Sequence, residues 1–414
     1  MFWTLTGNQI LMKVLLVTQY FYPENFKSND IAFELVKRGY EVTVLTGIPN
    51  YPQGCFFQGY GLFSKKMEKV QGVKIRRAWL FPRGRGGGGR LALNYFSWAF
   101  FASFYAFFLS LFHKYDVVLV HEPSPITQGI PAIIIKKMQR IPVYFWVLDL
   151  WPESLISAGG VTNKYVISFF TKIVKWIYNS SDKILISSKG FRQSILEKGN
   201  FESKLVYFPN WAEDIFSSFC EYSLPQLPDG FIVMFAGNMG EAQDLENVMK
   251  GALKLKENKD VKFVFVGDGR KKAWVDNFIQ KNSLADTVFT LGRYPLEMMP
   301  SFFSKADVML LSLKSETIFN LTVPAKLQTY MASGKPILAM INGEGENIVR
   351  EVNCGLTAKA GDSGQLAEAI MELKRMPFEK RMQLGKNGQE YYRRNFTLEK
   401  CMDNLCHIIQ DNQQ

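Results

Sequence analysis

The sequence predicts an α/β protein built from two Rossmann-like, doubly wound parallel-sheet domains in tandem. Three observations carry this. Continuous apolar runs alternate with amphipathic stretches at a spacing that suits strands covered by helices on both faces. The pattern breaks at a polar, proline-containing passage, Glu221 to Gly230, and then restarts. The 414 residues are enough for two domains of roughly 150 to 200 residues each, every one with its own core.

The first half opens with an apolar strand, Lys13 to Thr18, an amphipathic helix from Asn29 to Arg38 ended by Gly39, and a second strand from Tyr40 to Thr46. Further strands are expected at Val73–Trp79, Asp116–Val120, Pro142–Val147 and Lys183–Ile186. In the second half strands fall at Phe231–Ala236, Val261–Val266, Val288–Leu291, Asp307–Leu311 and Pro336–Met340, with a helix over Leu245–Leu255. The domains are placed at 12–215 and 216–390. Residues 391–414 form a helical tail with the option of packing back on the N-terminal domain.

The 49 basic and 38 acidic residues give a net charge of +11, which suits an anionic partner without choosing among nucleotide phosphates, a lipid surface and nucleic acid. Five scattered cysteines, Cys55, Cys220, Cys354, Cys401 and Cys406, have neither CxxC nor Cys/His spacing, so a disulfide framework and a zinc site are both disfavoured and a reducing cytoplasm is expected. Met1 to Leu11 lacks the basic start and cleavage site of a signal peptide and reads as an upstream start or an extension.

The eighteen residues Tyr95 to Phe112 carry no charge and follow a strongly basic segment that includes Lys65, Lys66, Lys69, Lys74, Arg76, Arg77, Arg83, Arg85 and Arg90. Aromatics beside basic residues suit a helix lying in the surface of an anionic bilayer. A buried core helix and a membrane span are the alternatives; a span inside the first domain would interrupt its sheet.

Candidate functional residues lie where doubly wound sheets bind ligands, beyond the carboxyl ends of strands. Thr322 to Pro336, TVPAKLQTYMASGKP, reads as a loop and a short helix stopped by Gly334 and Pro336. The first N–H groups of such a helix lack internal partners and attract anions, and Lys326 sits in that first turn, with Gln328, Thr329 and Tyr330 one turn on. A capping helix with a solvated Lys326 explains the same residues. Gly237-Asn238-Met239-Gly240 is a tight turn that lets backbone approach a phosphate, and Gly267-Asp268-Gly269 with Arg270, Lys271 and Lys272 is similar. Neither is GxGxxG, which disfavours a nicotinamide or flavin site. His121 and Glu122 follow a strand and can meet a sugar hydroxyl, or simply close the strand end. Asp149, Trp151 and Glu153, in DLWPES, offer carboxylates for sugar hydroxyls and an indole for a sugar face, or a helix start.

Taken together, QYFYPEN, TGIPNYPQG, HEPSP, DLWPES, PNW, AGNMGEAQDLE, LGRYP and VPAKLQTYMASGKP resemble the family 4 glycosyltransferases of the GT-B fold, from Met12 onward, most of all the WbuB-like group similar to N-acetyl-L-fucosaminyl transferases of bacterial surface polysaccharide and O-antigen assembly. That resemblance implies two domains facing across a cleft, and retaining transfer of a sugar from a nucleotide diphosphate, with UDP-N-acetyl-L-fucosamine as donor. It implies no bound metal and no cofactor. The acceptor is a polyprenyl-diphosphate-linked oligosaccharide, at the inner face of the cell membrane and without nucleic acid. By the same resemblance Gly237, Asn238, Gly240, Arg293, Thr322 and Lys326 meet the donor, Gln328 and Thr329 lie near its ribose, His121 touches its sugar, and Glu122, Asp149, Trp151 and Glu153 line the acceptor side. The chain departs from the family pattern at Thr329, where a glutamate usually stands, and at Glu241, Gln243 and Asp244, in place of an arginine and lysine pair. A sugar-nucleotide epimerase of the same fold and a non-catalytic partner protein are the competing functions.

Overall fold

The computed structural model describes residues 12–84, 86–157, 160–216 and 221–411. Met1–Leu11, Arg85 and Cys220, which entered the sequence analysis, lie outside these described residues. The chain divides into two compact units. The first holds Met1–Ser187, Phe191–Phe208 and Asn404–Gln414; the second holds Ser188–Gly190 and Pro209–Asp403.

The first unit is an eight-stranded sheet ordered β3-β4-β2-β1-β5-β6-β7-β8. Its strands are β1 (Lys13–Val17), β2 (Glu41–Gly47), β3 (Met67–Val70), β4 (Val73–Ala78), β5 (Val117–Glu122), β6 (Val143–Val147), β7 (Lys183–Ile186) and β8 (Leu205–Tyr207). Only β3 is antiparallel, paired with β4. Its helices are α1 (Lys27–Lys37), α2 (Gly88–Phe112), α3 (Gly129–Gln139), α4 (Glu153–Ser157), α5 (Lys164–Ser180) and α6 (Phe191–Leu196). Val14, Leu15, Leu16 and Val17 are fully buried, because helices cover both faces of the central strands, which is why those strands read as unbroken apolar runs.

The second unit is a six-stranded parallel sheet ordered β11-β10-β9-β12-β13-β14. These are β9 (Phe231–Ala236), β10 (Val261–Val266), β11 (Val288–Gly292), β12 (Val308–Ser312), β13 (Ile337–Met340) and β14 (Gly355–Ala358). Around it lie α7 (Leu245–Lys254), α8 (Lys272–Lys281), α9 (Met299–Ser304), α10 (Thr317–Leu321), α11 (Ala325–Ala332), α12 (Glu344–Val352), α13 (Ser363–Arg375) and α14 (Phe378–Asn395). The last helix, α15, runs over Leu398–Gln410. Its end is tied into the first unit, where Gln410 Nε2 donates to Tyr40 Oη at 3.0 Å and Lys183 Nζ donates to Ile408 O at 3.1 Å.

Three strands escape the sequence analysis. β3 (MEKV), β8 (LVY) and β14 (GLTA) lie at or next to sheet edges, where a strand with one covered face or one partner needs no apolar run. The strand order reverses between β1 and β5 in the first unit and between β9 and β12 in the second, so each unit has one switch point where a crevice can form.

Candidate functional site

At the switch point of the second unit a cavity of about 920 Å³ opens beyond the ends of β9 and β10. Its polar lining includes Asn238, Asp268, Arg270, Arg293, Lys326 and Thr329. Two glycines make the space. Gly267 has φ of +150°, and a Cβ there would lie 1.9 Å from Gly237 O, so the ends of β9 and β10 approach only without a side chain. Gly237 has φ of +115°, and a Cβ there would lie 3.0 Å from Lys326 Cε.

Pro324, at φ −63° and ψ 132°, stands just before α11, so Lys326 is the second residue of the helix. Its Nζ lies 3.6 Å from the centroid of the Phe235 ring and has no hydrogen-bond partner among the described residues. Burial lowers its pKa to about 7. An ammonium has three donors, and hiding them without an acceptor is costly, so this group is poised for an anion. The first-turn amides of Ala325 and Lys326, which have no acceptor earlier in the helix, add to that preference, whereas Leu327 N is already used on Pro324 O at 2.8 Å. Arg270 and Arg293 are exposed on the same lining against one acid, Asp268. Tyr330 fixes the helix to the sheet: its hydroxyl accepts from Ala236 N at 3.0 Å and donates to Ala236 O at 3.2 Å.

The structure revises several of the expected contacts. The Gly237–Gly240 turn does not present a row of free amides. Gly237 N donates to Val266 O at 2.8 Å, Met239 N to Asp268 O at 2.9 Å and Gly240 N to Gln243 Oε1 at 2.9 Å, leaving exposed Asn238 as the turn's contribution. Thr322 donates its hydroxyl to Ile318 O at 2.8 Å, ending α10, and is not on the lining. Thr329 lines the cavity and buried Gln328 does not, since neighbours on a helix point about 100° apart. Tyr294 is a lining residue to which the sequence analysis gave no role, and Arg270 was named there only as one of three basic residues with Lys271 and Lys272. Their signal was present in GDGR and LGRYP, but nothing in the run distinguishes Arg270 from its neighbours. Lys271 instead pairs with Glu246 at 2.8 Å and Glu241 at 3.3 Å, and Lys272 with Asp276 at 2.7 Å.

In the first unit β5 runs on through His121 and Glu122, so these two point to opposite faces of the sheet rather than together into a loop. His121 is buried beside Trp146, ring centroids 5.3 Å apart, with Nδ1 3.2 Å from Thr18 Oγ1. Burial, with Lys27 adding to it, lowers its pKa to about 3, so the imidazole is neutral. Glu122 is fully buried, and burial together with the Asp149 carboxyl raises its pKa well above the usual range.

The DLWPES residues are also turned inward. Ser154 Oγ donates to Asp149 Oδ1. Trp151 packs on Phe170, centroids 5.0 Å apart, and donates Nε1–H to Ser124 Oγ at 3.3 Å, so its ring is not open to a sugar face. Glu153 pairs with Lys198 at 2.5 Å and accepts from Ser194 Oγ at 2.7 Å. The stretch is thus tied to α5 through Phe170 and to the end of α6 through Ser194 and Lys198 rather than forming an open wall.

Helix α2 buries mostly small residues. Asn94, Ser97, Ala99, Ala102, Ala106 and Ser110 face inward together with Trp98 and Leu109, while Phe100, Phe104, Phe108, Leu111 and Phe112 are exposed. The small residues let α2 approach α3 and the sheet closely, and most of its phenylalanines stay outside. Among the described residues it is the one helix long and apolar enough to cross a membrane.

Two parallel-sheet α/β domains in tandem, the second with an anion-ready cavity at its switch point, define the GT-B fold. Residues 28–211 match the family described as glycosyl transferase 4-like domain, and residues 223–391 match the one described as glycosyl transferases group 1. The two halves of the chain thus match two glycosyltransferase domain families, in that order. It is 32% identical over 244 residues to WbjE, a probable glycosyltransferase of Pseudomonas aeruginosa, a match covering 55% of this chain and 59% of the relative. The match therefore spans about three fifths of that relative's length. WcaI of Escherichia coli K12, a putative colanic acid biosynthesis glycosyl transferase, is 25% identical over 342 residues, 78% of this chain and 82% of the relative. In structure the chain is similar to Anabaena HepE, solved in complex with UDP-glucose, with a TM-score of 0.65 at 14% identity over 97% of this chain and 100% of that one.

Proposed function

We propose that the protein transfers a sugar from a UDP-sugar to a polyprenyl-diphosphate-linked oligosaccharide of surface polysaccharide synthesis, with retention, at the inner face of the cell membrane. The observation that carries this reading is the buried, partnerless ammonium of Lys326 in the cavity of the second unit. The diphosphate of the donor is assigned to Lys326, the first turn of α11, Arg270 and Arg293. The apolar end of the cavity, Phe216, Tyr294, Met299 and Phe303, suits a nucleobase, and Thr329 suits the ribose. Relatives support the pathway: WcaI is named for colanic acid biosynthesis, and HepE was solved with UDP-glucose.

As the bond from the sugar carbon to the phosphate oxygen breaks, negative charge develops on the leaving diphosphate, and Lys326 with the helix amides offsets it. The incoming acceptor hydroxyl passes its proton to that leaving oxygen on the same face, so atoms balance without a dedicated base. This scheme uses no metal. The resemblance of the sequence to the WbuB-like group makes UDP-N-acetyl-L-fucosamine the first donor to try. The exposed aromatic face of α2, following the basic stretch before it, supports attachment to an anionic bilayer.

The test is a thermal shift with UDP in the presence of EDTA. UDP should raise Tm in the wild type and leave it unchanged in Lys326→Ala, with circular dichroism confirming that the variant is folded. No shift in the wild type with UDP or its sugars would overturn the donor assignment.

A further inference from the structure

The nucleotide diphosphate proposed for the second unit has a direction in its cavity. Lys326 and Thr329 are three residues apart on α11, so they share a face of the helix, with Thr329 about 4.5 Å farther along the axis. The apolar end of the cavity adjoins that second turn. Phe303 meets the ring of Tyr330 edge-on, centroids 5.7 Å apart and planes at 82°, and stacks on the ring of Phe216 at 5.3 Å and 16°. Tyr330 is the chain neighbour of Thr329 and is fixed to β9 through Ala236. With the diphosphate on Lys326 and the base among Phe216, Met299 and Phe303, the pentose that joins them passes Thr329.

Thr329 offers that pentose little. Its one hydroxyl donates to Ala325 O at 3.3 Å, in the preceding turn, and keeps its lone pairs for a single contact. Two neighbouring hydroxyls are read as a pair by a carboxylate, which can accept from both. Among the described residues Asp268 is the one carboxylate on the lining, and it belongs to the glycine turns rather than to α11. Met239 N donates to Asp268 O at 2.9 Å, holding the two turns together, and Asp268 Oδ1 accepts from Gly269 N at 2.7 Å. Gln328, whose Oε1 has no partner among the described residues, is buried off the lining. A site rejects a ligand that lacks a hydroxyl when the loss leaves a buried polar group unpaired. Apart from the Lys326 ammonium, no such group lines this cavity among the described residues.

We propose that the site does not read the 2′ hydroxyl, so that 2′-deoxy nucleotides, thymidine diphosphate sugars among them, are donors on the same terms as uridine diphosphate sugars, with Thr329 the residue that sets this specificity. The inference rests on the UDP-sugar reading above and widens its substrate class. Transfer from either donor follows one step: the bond from sugar carbon to phosphate oxygen breaks, the acceptor oxygen bonds to that carbon, and its proton passes to the leaving diphosphate. The apolar end adds a preference of its own, since the 5-methyl group of thymine leaves water there without displacing a hydrogen bond.

UDP, 2′-deoxy-UDP and dTDP are the probes, titrated calorimetrically against the full chain in EDTA. The Kd of 2′-deoxy-UDP should fall within about threefold of that of UDP, and dTDP should bind roughly two- to fourfold tighter than 2′-deoxy-UDP, the worth of one buried methyl group. Thr329→Glu should install the missing selection and favour UDP over 2′-deoxy-UDP by at least about tenfold. Thr329→Gln, which accepts without setting a charge beside the diphosphate, should favour UDP by a smaller factor; circular dichroism checks that both variants are folded. A wild-type preference for UDP over 2′-deoxy-UDP beyond threefold, or rejection of dTDP, would overturn the inference and leave the donor assignment standing. Unchanged ratios in both folded variants would overturn it equally, by removing Thr329 from the pentose. Binding of none of the three nucleotides would instead remove the donor assignment, and this inference with it.

Discussion

Lys326 Nζ lies 3.6 Å above the ring of Phe235, and that ring is the contact the ammonium makes in the absence of a ligand. A cation over an aromatic face gains about 0.5 to 2 kcal/mol, less than the cost of removing an ammonium from water, and the pKa accordingly falls from 10.5 to about 7. A diphosphate would replace this weak partner with a strong one, so the site is balanced between empty and filled.

Affinity for UDP should follow that titration. Below pH 7 Lys326 is charged with or without ligand, and its contribution is constant. Above pH 7 the free site loses its proton and binding must recover it, so Kd should rise by up to about tenfold per pH unit until the higher pKa of the complex is reached. Calorimetry from pH 6 to 9 checks this; Lys326→Arg, which stays charged, should show no such rise. A flat wild-type profile would reject the titration of Lys326.

Stability of the ligand-free protein should respond in the corresponding sense. Because the folded pKa lies below the unfolded one, the unfolded chain holds more protons between about pH 7 and 10.5, and the penalty is full below pH 7 and fades as pH rises. Lys326→Met should therefore be more stable than the wild type at pH 6.5, by on the order of 2 kcal/mol, with the gap closing by pH 10. Urea unfolding at the two pH values measures it.

Gly237→Ala should damage the site more than the fold. The new methyl would meet Lys326 Cε at 3.0 Å in a backbone conformation of φ +115°. We expect a stability loss of about 1 to 2 kcal/mol and a larger relative loss of UDP affinity. An unchanged Kd would show that Lys326 is free to move aside.

His121 should leave an acid signature. Its folded pKa of about 3 against 6.5 unfolded means that stability contributed by the neutral ring is complete above pH 6.5 and lost as pH falls toward 3. His121→Gln should flatten this part of the stability profile by up to about 1.4 kcal/mol per pH unit, read from unfolding at pH 4.5 and 7.5.

Phe100→Ser with Phe104→Ser should weaken sedimentation with anionic vesicles severalfold while changing Tm little, because these side chains are 59% and 58% exposed. A large fall in Tm with no change in sedimentation would return α2 to the role of an ordinary packing helix.

The alternation of apolar strands and amphipathic helices was legible because period and apolar continuity are local properties of the chain. Lys326 in the first turn of α11 and the glycine turn after β9 were legible for the same reason. Gln328 and Thr329 were not separable in sequence, since which of two adjacent helical residues faces a cavity depends on how the helix is docked, here by the bond of Tyr330 to Ala236. His121 and Glu122 looked like a pair until the length of β5 sent them to opposite faces. Trp151 and Glu153 looked available until Phe170 and Lys198 were brought to them.

The amino-acid sequence alone thus determined two tandem parallel-sheet domains, the place of the anion-attracting helix and an unusually aromatic run, because each rests on interactions between near neighbours in the chain. Tertiary structure alone decided that the Lys326 ammonium is buried on Phe235 without a hydrogen-bond partner among the described residues, that Arg270 and Arg293 share its cavity, and that Phe100, Phe104 and Phe108 of α2 face outward. Burial, and with it the charge state and availability of a side chain, is set by segments distant in sequence that packing brings together.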